Sequence, residues 1–253
     1  MMKTNPLFCA AALLAGSLLT AAATPGDDLT NAVNSLTAKS GYSWKTTVVV
    51  PEDSPFHPGP TEGKTEKDGF TDVLLSMRGT TTEMVAKGGK IIVNTPDNGW
   101  QSLADLQSDQ GPGRFMARMV SNFKAPAAQA TDLAASAAAL KTDGDVIAGD
   151  LTEAGAKALV SFGPRRGGGG GGPEVSDAKG SVKFWVKDGV LAKFEFKVTG
   201  KMSFNGNDMD VNRDTTVEIK DVGATKVTVP DEALKALSPK PAAAAAPAPA
   251  TKP

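Results

Sequence analysis

The sequence predicts an α+β fold: a large curled antiparallel sheet, or half-barrel, with helices covering its concave face. Two observations predict it. Period-two alternation runs for about fifteen residues in the C-terminal half, and segments of helical periodicity lie between two groups of strands. A strand of that length far exceeds the usual five or six residues, so we expect the sheet to twist strongly and curl.

The clearest strand covers residues 190–204, where the even positions are apolar and most odd positions are polar. Asn205-Gly206 then supplies a type I′ turn, and beyond it the odd positions are apolar. A two-residue turn pairs Met202 with Met209, which brings apolar side chains together on one face. A slip of one residue would place the two apolar sets on opposite faces.

The turn before this strand is Lys187-Asp188-Gly189. A three-residue loop there pairs Val186 with Val190 and leaves Gly189 at the left-handed position that such loops need. The sequence therefore predicts a bulged hairpin and one amphipathic meander. Its three strands are predicted at 181–187, 190–204 and 207–221.

The N-terminal half predicts a second meander of short strands. It begins with the β-rich run 42–50, continues after a proline-rich loop at 51–60, and turns again at Gly88-Gly89. Asp27 or Asp28 is the expected cap of a helix that ends at Lys39. The remaining helices are predicted at 113–124, 126–140, 152–162 and 229–237.

Both ends of the chain are expected to lie outside the folded domain. Residues 1–23 carry Lys3, a short apolar run and three small residues, the order typical of a signal peptide that is cleaved near Ala23. The sequence then predicts a single α+β half-barrel domain at 24–237 and a disordered Ala/Pro-rich tail at 238–253. Cleavage would leave a periplasmic or secreted protein with no later apolar stretch long enough for a transmembrane segment.

Composition excludes several functions. The chain has one His, one Cys and one Tyr, which leaves no multi-histidine metal site and makes a nucleophile–histidine pair improbable. Its formal net charge of -1 provides no basic footprint for nucleic acid. We therefore expect no enzyme, no cofactor, no metal and no nucleic-acid partner, with a hydrolase as the third hypothesis.

Three local motifs fall short of the patterns that they resemble. Gly63-Lys64-Thr65 lacks the spaced glycine of a phosphate-binding loop, because Pro58 occupies that position. Ser-x-x-Lys occurs at 121–124 and 176–179, about as often as chance predicts. Every second position in 208–214 is Asp or Asn, but Arg213 and Ile219 occupy the sixth and twelfth positions, where a calcium loop needs Gly and Glu.

One helical stripe, Phe115, Met116, Met119, Val120 and Phe123, has two interpretations. It is either ordinary core or a deformable lid over an apolar cavity, a role that suits methionine because its unbranched side chain repacks easily. The second interpretation predicts an exported protein that binds or carries an apolar ligand. Its predicted ligand-binding residues are Met84, Met116, Met119, Phe123, Phe184, Phe194, Phe196, Val198, Met202 and Phe204.

The alternative is a structural or interaction protein of the cell envelope with a fully packed core and no ligand. An apolar void of about 300–1,000 Å³ would favour carriage, and a filled interior would favour the alternative. The sequence leaves the ligand, the partner protein and the oligomeric state open.

The chain also resembles the LolA-like superfamily of periplasmic lipoprotein carriers and related envelope lipid-binding proteins. In the N-terminal half, the resemblance rests on the signal 1–23, the helix 27–39, the strand from Tyr42, and the turn 88–90 before Trp100. In the C-terminal half, it rests on residues 183–189, the long strand that follows them, and residues 227–230. It is one of topology, without a diagnostic motif. It implies a curled sheet that helices close around an apolar cavity for acyl chains, with a lipid or a lipoprotein as partner.

Overall fold

A computed structural model describes residues 23–54, 57–77, 79–109, 111–161, 174–204 and 207–238. The strands are β1 Gly41–Val49, β2 Pro58–Glu66, β3 Thr71–Met77, β4 Thr80–Lys87, β5 Lys90–Thr95, β6 Gly99–Ser102, β7 Lys141–Asp143, β8 Val146–Asp150, β9 Glu174–Lys187, β10 Val190–Phe204 and β11 Asn207–Lys220. The helices are α1 Pro25–Ala38, α2 Leu103–Ser108, α3 Pro112–Ser121, α4 Pro126–Ala135, α5 Glu153–Val160 and α6 Asp231–Leu237. The predicted signal peptide, except Ala23, and the tail beyond Ser238 lie outside the described residues.

All eleven strands join one antiparallel sheet in the order β6-β5-β4-β3-β2-β1-β11-β10-β9-β8-β7. Neighbours in this order are neighbours in the chain except at β1 and β11, which join the two meanders. The open, curled sheet with its helices confirms the predicted α+β class. None of the described helices is long and apolar enough to span a bilayer.

The β10–β11 hairpin confirms the predicted register. Phe204 pairs with Asn207, Met202 with Met209 and Phe194 with Val217. The predicted Asn205-Gly206 turn itself lies outside the described residues. The apolar positions of both strands therefore share one face, as the alternation requires.

The β9–β10 hairpin corrects the predicted three-residue loop. Its turn is the two-residue Asp188-Gly189, with φ of 52° and 71°, so that Lys187 rather than Val186 pairs with Val190. Two positive φ values suit a type I′ turn, whose twist matches that of the strands. A register shift between Leu191 and Lys193 then aligns Phe184 with Phe194. The bulge restores the apolar alignment for which the longer loop was predicted.

The first helix begins earlier than predicted. Thr24 is its N-cap, and Asp27 is the third helical residue of a capping box in which each side chain accepts from the other's backbone N–H. Pro25 fits the first turn because its missing N–H would have no helical partner there. Asp27 and Asp28 therefore lie inside the helix rather than at its cap.

Other boundaries also differ from the prediction. The end of the predicted loop 51–60 forms the start of β2, and α2 and β6 were not predicted. α3 ends at Ser121 and α4 at Ala135, both before the predicted ends of those helices. Gly63 lies within β2, so Gly63-Lys64-Thr65 is extended strand rather than a phosphate-binding loop.

The apolar side chains form two clusters on the two faces of the sheet. The larger cluster includes Leu36 of α1, Met84 of β4 and Phe194 of β10. The smaller cluster comprises Val85, Ile92 and Ala233, with α6 packed against β5 and β6. Because Met84 and Val85 are consecutive strand residues, the two clusters lie on opposite faces.

Candidate functional site

A cleft of about 1370 Å³ opens between the sheet and the helices. Its floor comes from β1, β10 and β11, and its walls come from α4, α5 and the segment that follows α3. Apolar side chains from all these elements line it, among them Val48, Phe123, Leu133, Leu159, Phe196 and Val211.

Strand alternation explains the floor. Every second residue at the end of β1 lines the cleft: Thr46, Val48 and then Val50, which directly follows the strand. Val49, which lies between two of them in the chain, is 62% exposed on the other face. β11 supplies Val211 in the same way, and β1 and β11 lie side by side. Two adjacent strands thus present Val48, Val50 and Val211 to the cleft, beside the polar side chains of Thr46 and Thr215.

The wall formed by α4 and α5 depends on a close backbone approach. Thr152 caps α5 by accepting a hydrogen bond from the N–H of Gly155 at 3.1 Å. A Cβ built on Gly155 would lie 2.7 Å from Cβ of Ser136, the residue after α4. Glycine at this position therefore lets the start of α5 meet the end of α4.

The start of α4 is tied to the sheet. The N–H of Ala127 donates to the Tyr42 hydroxyl oxygen at 3.5 Å, and burial raises the pKa of Tyr42. On the rim, Lys124 forms an exposed ion pair with Asp132 of α4. The buried hydrogen bond to Tyr42 and the exposed ion pair with Lys124 thus both hold α4 beside the cleft.

Arg213 brings a charge to the floor of the cleft. It follows Met209 and Val211 on the inward positions of β11, and its Nη2 donates to the carbonyl oxygen of Leu159 at 2.9 Å. Burial lowers the pKa of Arg213, because a charged group loses hydration among apolar neighbours. The hydrogen bond joins β11 to the last turn of α5.

A second, smaller cleft of about 240 Å³ is lined by Trp44, Met84, Met119 and Phe123, among others. The rings of Trp44 and Phe123 are stacked, with centroids 6.3 Å apart and planes 22° apart. Phe123 lines both clefts, so this aromatic pair lies at their boundary.

The structure separates the ten predicted ligand-binding residues into groups. Phe123 and Phe196 line the large cleft, and Met84 and Met119 line the small one. Fully buried in the packed cluster are Phe184, Phe194 and Val198, while Met116 and Met202 are half-buried against it. The side chain of Phe204 lies outside the described part of the chain. A ligand contact for any of the ten stays a prediction.

The helical stripe is divided in the same way. Val120 is buried, Met116, Met119 and Phe123 are half-buried, and Phe115 is 58% exposed. The stripe is therefore neither wholly core nor wholly lid.

Sequence reasoning missed much of the cleft. Val48, Leu133 and Arg213 were not among the predicted residues. The alternation of Thr46, Val48 and Val50 was available as a signal, but their common face became meaningful only once β11 lay beside β1. In the described ranges, no group of three or more His, Cys, Asp or Glu side chains could hold a metal ion.

No protein-family model and no curated protein matches the chain. Among solved structures it is similar to the lipoprotein LppX of Mycobacterium tuberculosis, with 9% identity, a TM-score of 0.42, and coverage of 80% of this chain and 97% of the other. LprF of Mycobacterium bovis has 11% identity, a TM-score of 0.41 and coverage of 82% and 96%. A LolA superfamily protein of Nitrosomonas europaea has 11% identity, a TM-score of 0.33 and coverage of 83% and 97%. At these identities and TM-scores, neither a family nor any residue's role is transferred from these structures to this chain.

Proposed function

We propose that the chain is a non-enzymatic protein of the cell envelope, periplasmic or secreted, that binds or carries a lipid or the acyl chains of a lipoprotein. The observation that carries this proposal is the open cleft of about 1370 Å³, to which β1, β10 and β11 contribute Val48, Phe196 and Val211. Ligand-binding clefts usually measure about 300–1,000 Å³, so the volume is ample for an acyl chain. It favours carriage over the alternative of a fully packed envelope protein.

Apolar burial would drive binding. Each CH₂ group that leaves water contributes about 0.8 kcal/mol, so about ten contribute roughly 8 kcal/mol. Association costs about 4–15 kcal/mol in lost freedom, so one acyl chain can reach useful affinity only if most of its length is covered. A cleft that runs from β1 and β11 to α4 and α5 provides such cover.

The half-buried methionines and Phe123 support a mobile cover. Met119 of α3 lines the smaller cleft, Phe123 after α3 lines both clefts, and Met116 of α3 is half-buried against the packed cluster. Methionine adapts to varied shapes because its side chain is unbranched and flexible. We propose that these three residues repack when an acyl chain enters, while Phe196 and Val48 form the fixed floor.

The first test is native mass spectrometry of the full chain after gentle purification, followed by titration with a fluorescent fatty acid. We expect a co-purified lipid or saturable uptake of the probe. A wild-type protein that carries no lipid and takes up no probe would contradict the proposal.

Two neighbouring residues of β1 offer a matched pair of variants. Val48 lines the cleft, whereas Val49 is exposed on the other side of the strand. We expect Val48→Trp to reduce probe affinity at least tenfold by filling the cleft, and Val49→Trp to leave it within about twofold. Circular dichroism of both variants checks the fold. Equal affinities of the two folded variants would place the ligand elsewhere.

A further inference from the structure

The large cleft follows one edge of β11 as well as its inner face. Five consecutive residues of this strand, 209–213, line it. Side chains of a strand alternate between its two faces, so a cleft that lay against one face alone would be lined by every second residue. An unbroken run of lining residues therefore means that the cleft reaches the edge of the strand, where the backbone itself is exposed.

This edge is open because β1 is shorter than β11. The last paired residues of the two strands are Val49 of β1 and Asp214 of β11. The chain turns directly after β1, where the N–H of Ser54 donates to the carbonyl oxygen of Pro51 at 3.0 Å. Among the described residues, no strand pairs with the β1 side of 208–213. This part of β11 is therefore a free sheet edge that faces the cleft.

The hairpin register determines which backbone groups face the free edge. Phe204 and Asn207 pair across two intervening residues, and such a flanking pair exchanges both of its N–H···O bonds. The ladder continues without a register shift, so every second residue of β11 from Asn207 onward bonds to β10. The N–H and C=O groups of Asp208, Asp210 and Asn212 then point to the free edge. An extended peptide could pair with all of them as an added strand.

The cleft and its edge carry a surplus of negative charge. The charged residues that line the cleft are three carboxylates and two cations: Asp53, Asp132, Asp210, Lys124 and Arg213. Asp208, exposed on the outer face of β11, adds a fourth carboxylate, and Lys201 lies opposite Asp210 on β10 as a third cation. One negative charge is left over. A basic side chain on a bound peptide would offset it.

A second copy of this chain does not suit the edge. Two β11 edges paired antiparallel about Asp210 would place the two Asp210 carboxylates directly opposite each other, and each Asp208 opposite Asn212. Like charges that face each other destabilise a strand pair, and no basic residue lies within 208–212 to offset them. Charged side chains on an edge also discourage pairing between copies. A different chain with basic side chains at these positions meets no such repulsion.

We propose that the free edge of β11 is a docking site for an extended peptide segment of a partner protein, which adds to the sheet as an antiparallel strand. Its outward side chains are basic and lie opposite Asp208 and Asp210. Its inward side chains are apolar and lie beside Met209 and Val211, which are half-buried at the cleft. Backbone pairing provides affinity, and the two faces provide selectivity. The docking site needs no lipid in the cleft, so it goes beyond the proposed function.

The first test measures binding of a labelled peptide to the full-length protein by fluorescence anisotropy. The peptide has seven residues, alternating lysine and valine, with blocked ends. Directly opposite residues share a face in an antiparallel pair, so its lysine N–H groups face β11 and its valine N–H groups face away. We expect N-methylation of the lysines to weaken binding roughly tenfold or more, because several hydrogen bonds are lost. N-methylation of the valines is the matched control and should change binding by less than about threefold. Equal losses for the two peptides, or a larger loss for the methylated valines, would overturn the proposal.

Two substitutions at one position test the protein side. Asp210→Pro removes an N–H from the free edge and leaves the bonds to β10, which is the setting in which strands tolerate proline. We expect it to weaken binding of the unmethylated peptide roughly tenfold, whereas Asp210→Ala keeps the N–H and should weaken it about threefold through the lost charge. Circular dichroism checks the fold of both variants. A folded Asp210→Pro protein that binds as well as Asp210→Ala would contradict the docking site. If Asp210→Pro does not fold, the two methylated peptides decide the question on the wild-type protein.

The remaining outcomes separate this proposal from its alternatives. Self-association of the wild type in sedimentation equilibrium that Asp210→Pro abolishes would assign the edge to a second copy and overturn the proposal. A wild-type protein that takes up fluorescent fatty acid but does not bind the unmethylated peptide would contradict the docking site alone. One that binds this peptide but neither carries lipid nor takes up the fatty acid would contradict only the proposed function.

Discussion

The two ends of the β10–β11 hairpin differ in what covers their inward faces. The sealed end includes Phe194 and Val217, which are 0% exposed and belong to one cluster with Leu36 of α1. The open end includes Val211 and Arg213, which line the cleft. Both ends follow the same alternation along continuous strands. The difference teaches that alternation decides which side is apolar, while the position of the helices decides whether that side is packed or left for a ligand.

The largest expected effect is on stability at the sealed end. Phe194→Ala removes a ring that lies 6.2 Å from the ring of Phe184, and should lower the free energy of unfolding by about 3–5 kcal/mol. Val211→Ala at the open end should lower it by less than about 1.5 kcal/mol, since that side chain is only half-buried. Urea denaturation of both variants measures the contrast. Losses of equal size would mean that the open end is packed as tightly as the sealed end.

Substitutions that enlarge a side chain, rather than truncate it, should also distinguish the two ends. Val217→Phe adds volume to a fully packed position at the sealed end and should lower the free energy of unfolding by about 1–3 kcal/mol. Val211→Phe has the cleft to occupy and should cost less than about 1 kcal/mol while weakening probe uptake. Thermal unfolding, read beside the fluorescence titration, gives both quantities. A costly Val211→Phe with unchanged uptake would contradict the division into two ends.

The smallest expected effect is at the rim of the open end. Lys124 and Asp132 are each 54% exposed, so Lys124→Ala should lower the free energy of unfolding by less than about 1 kcal/mol. High salt should remove most of that difference, because exposed charges are screened. Denaturation at low and high salt measures it. A larger, salt-independent loss would indicate that the rim is a structural clamp rather than a solvated edge.

A structural feature could be predicted from the sequence when the residues that cause it are close together in the chain. The β10–β11 register followed from a two-residue turn and alternation, both visible in the sequence. The β9–β10 register was predicted wrongly because a bulge near Ala192, invisible in composition, offsets a tighter turn. Gly63 gave no local sign of its role: a Cβ there would lie 2.1 Å from Cζ2 of Trp44, on the neighbouring strand.

The candidate site was predictable only in part. The Met/Phe stripe includes Phe123 and the alternation includes Phe196, both of which line the cleft, but Phe184 and Phe194 share that alternation and lie in the packed core. Whether a residue lines the cleft depends on α4 and α5, whose positions follow from contacts such as Gly155 against Ser136. These contacts join distant segments and leave no periodic trace.

By itself the sequence determined the fold class, the apolar side of the C-terminal strands and the register of one hairpin, because alternation and turn chemistry act between residues that are near in the chain. Only the tertiary structure decided that β11 lies beside β1 and where the helices stop covering the sheet, so that a cleft remains there. Those features arise from packing between segments far apart in the chain, and their energies depend on what each surface meets in the folded protein.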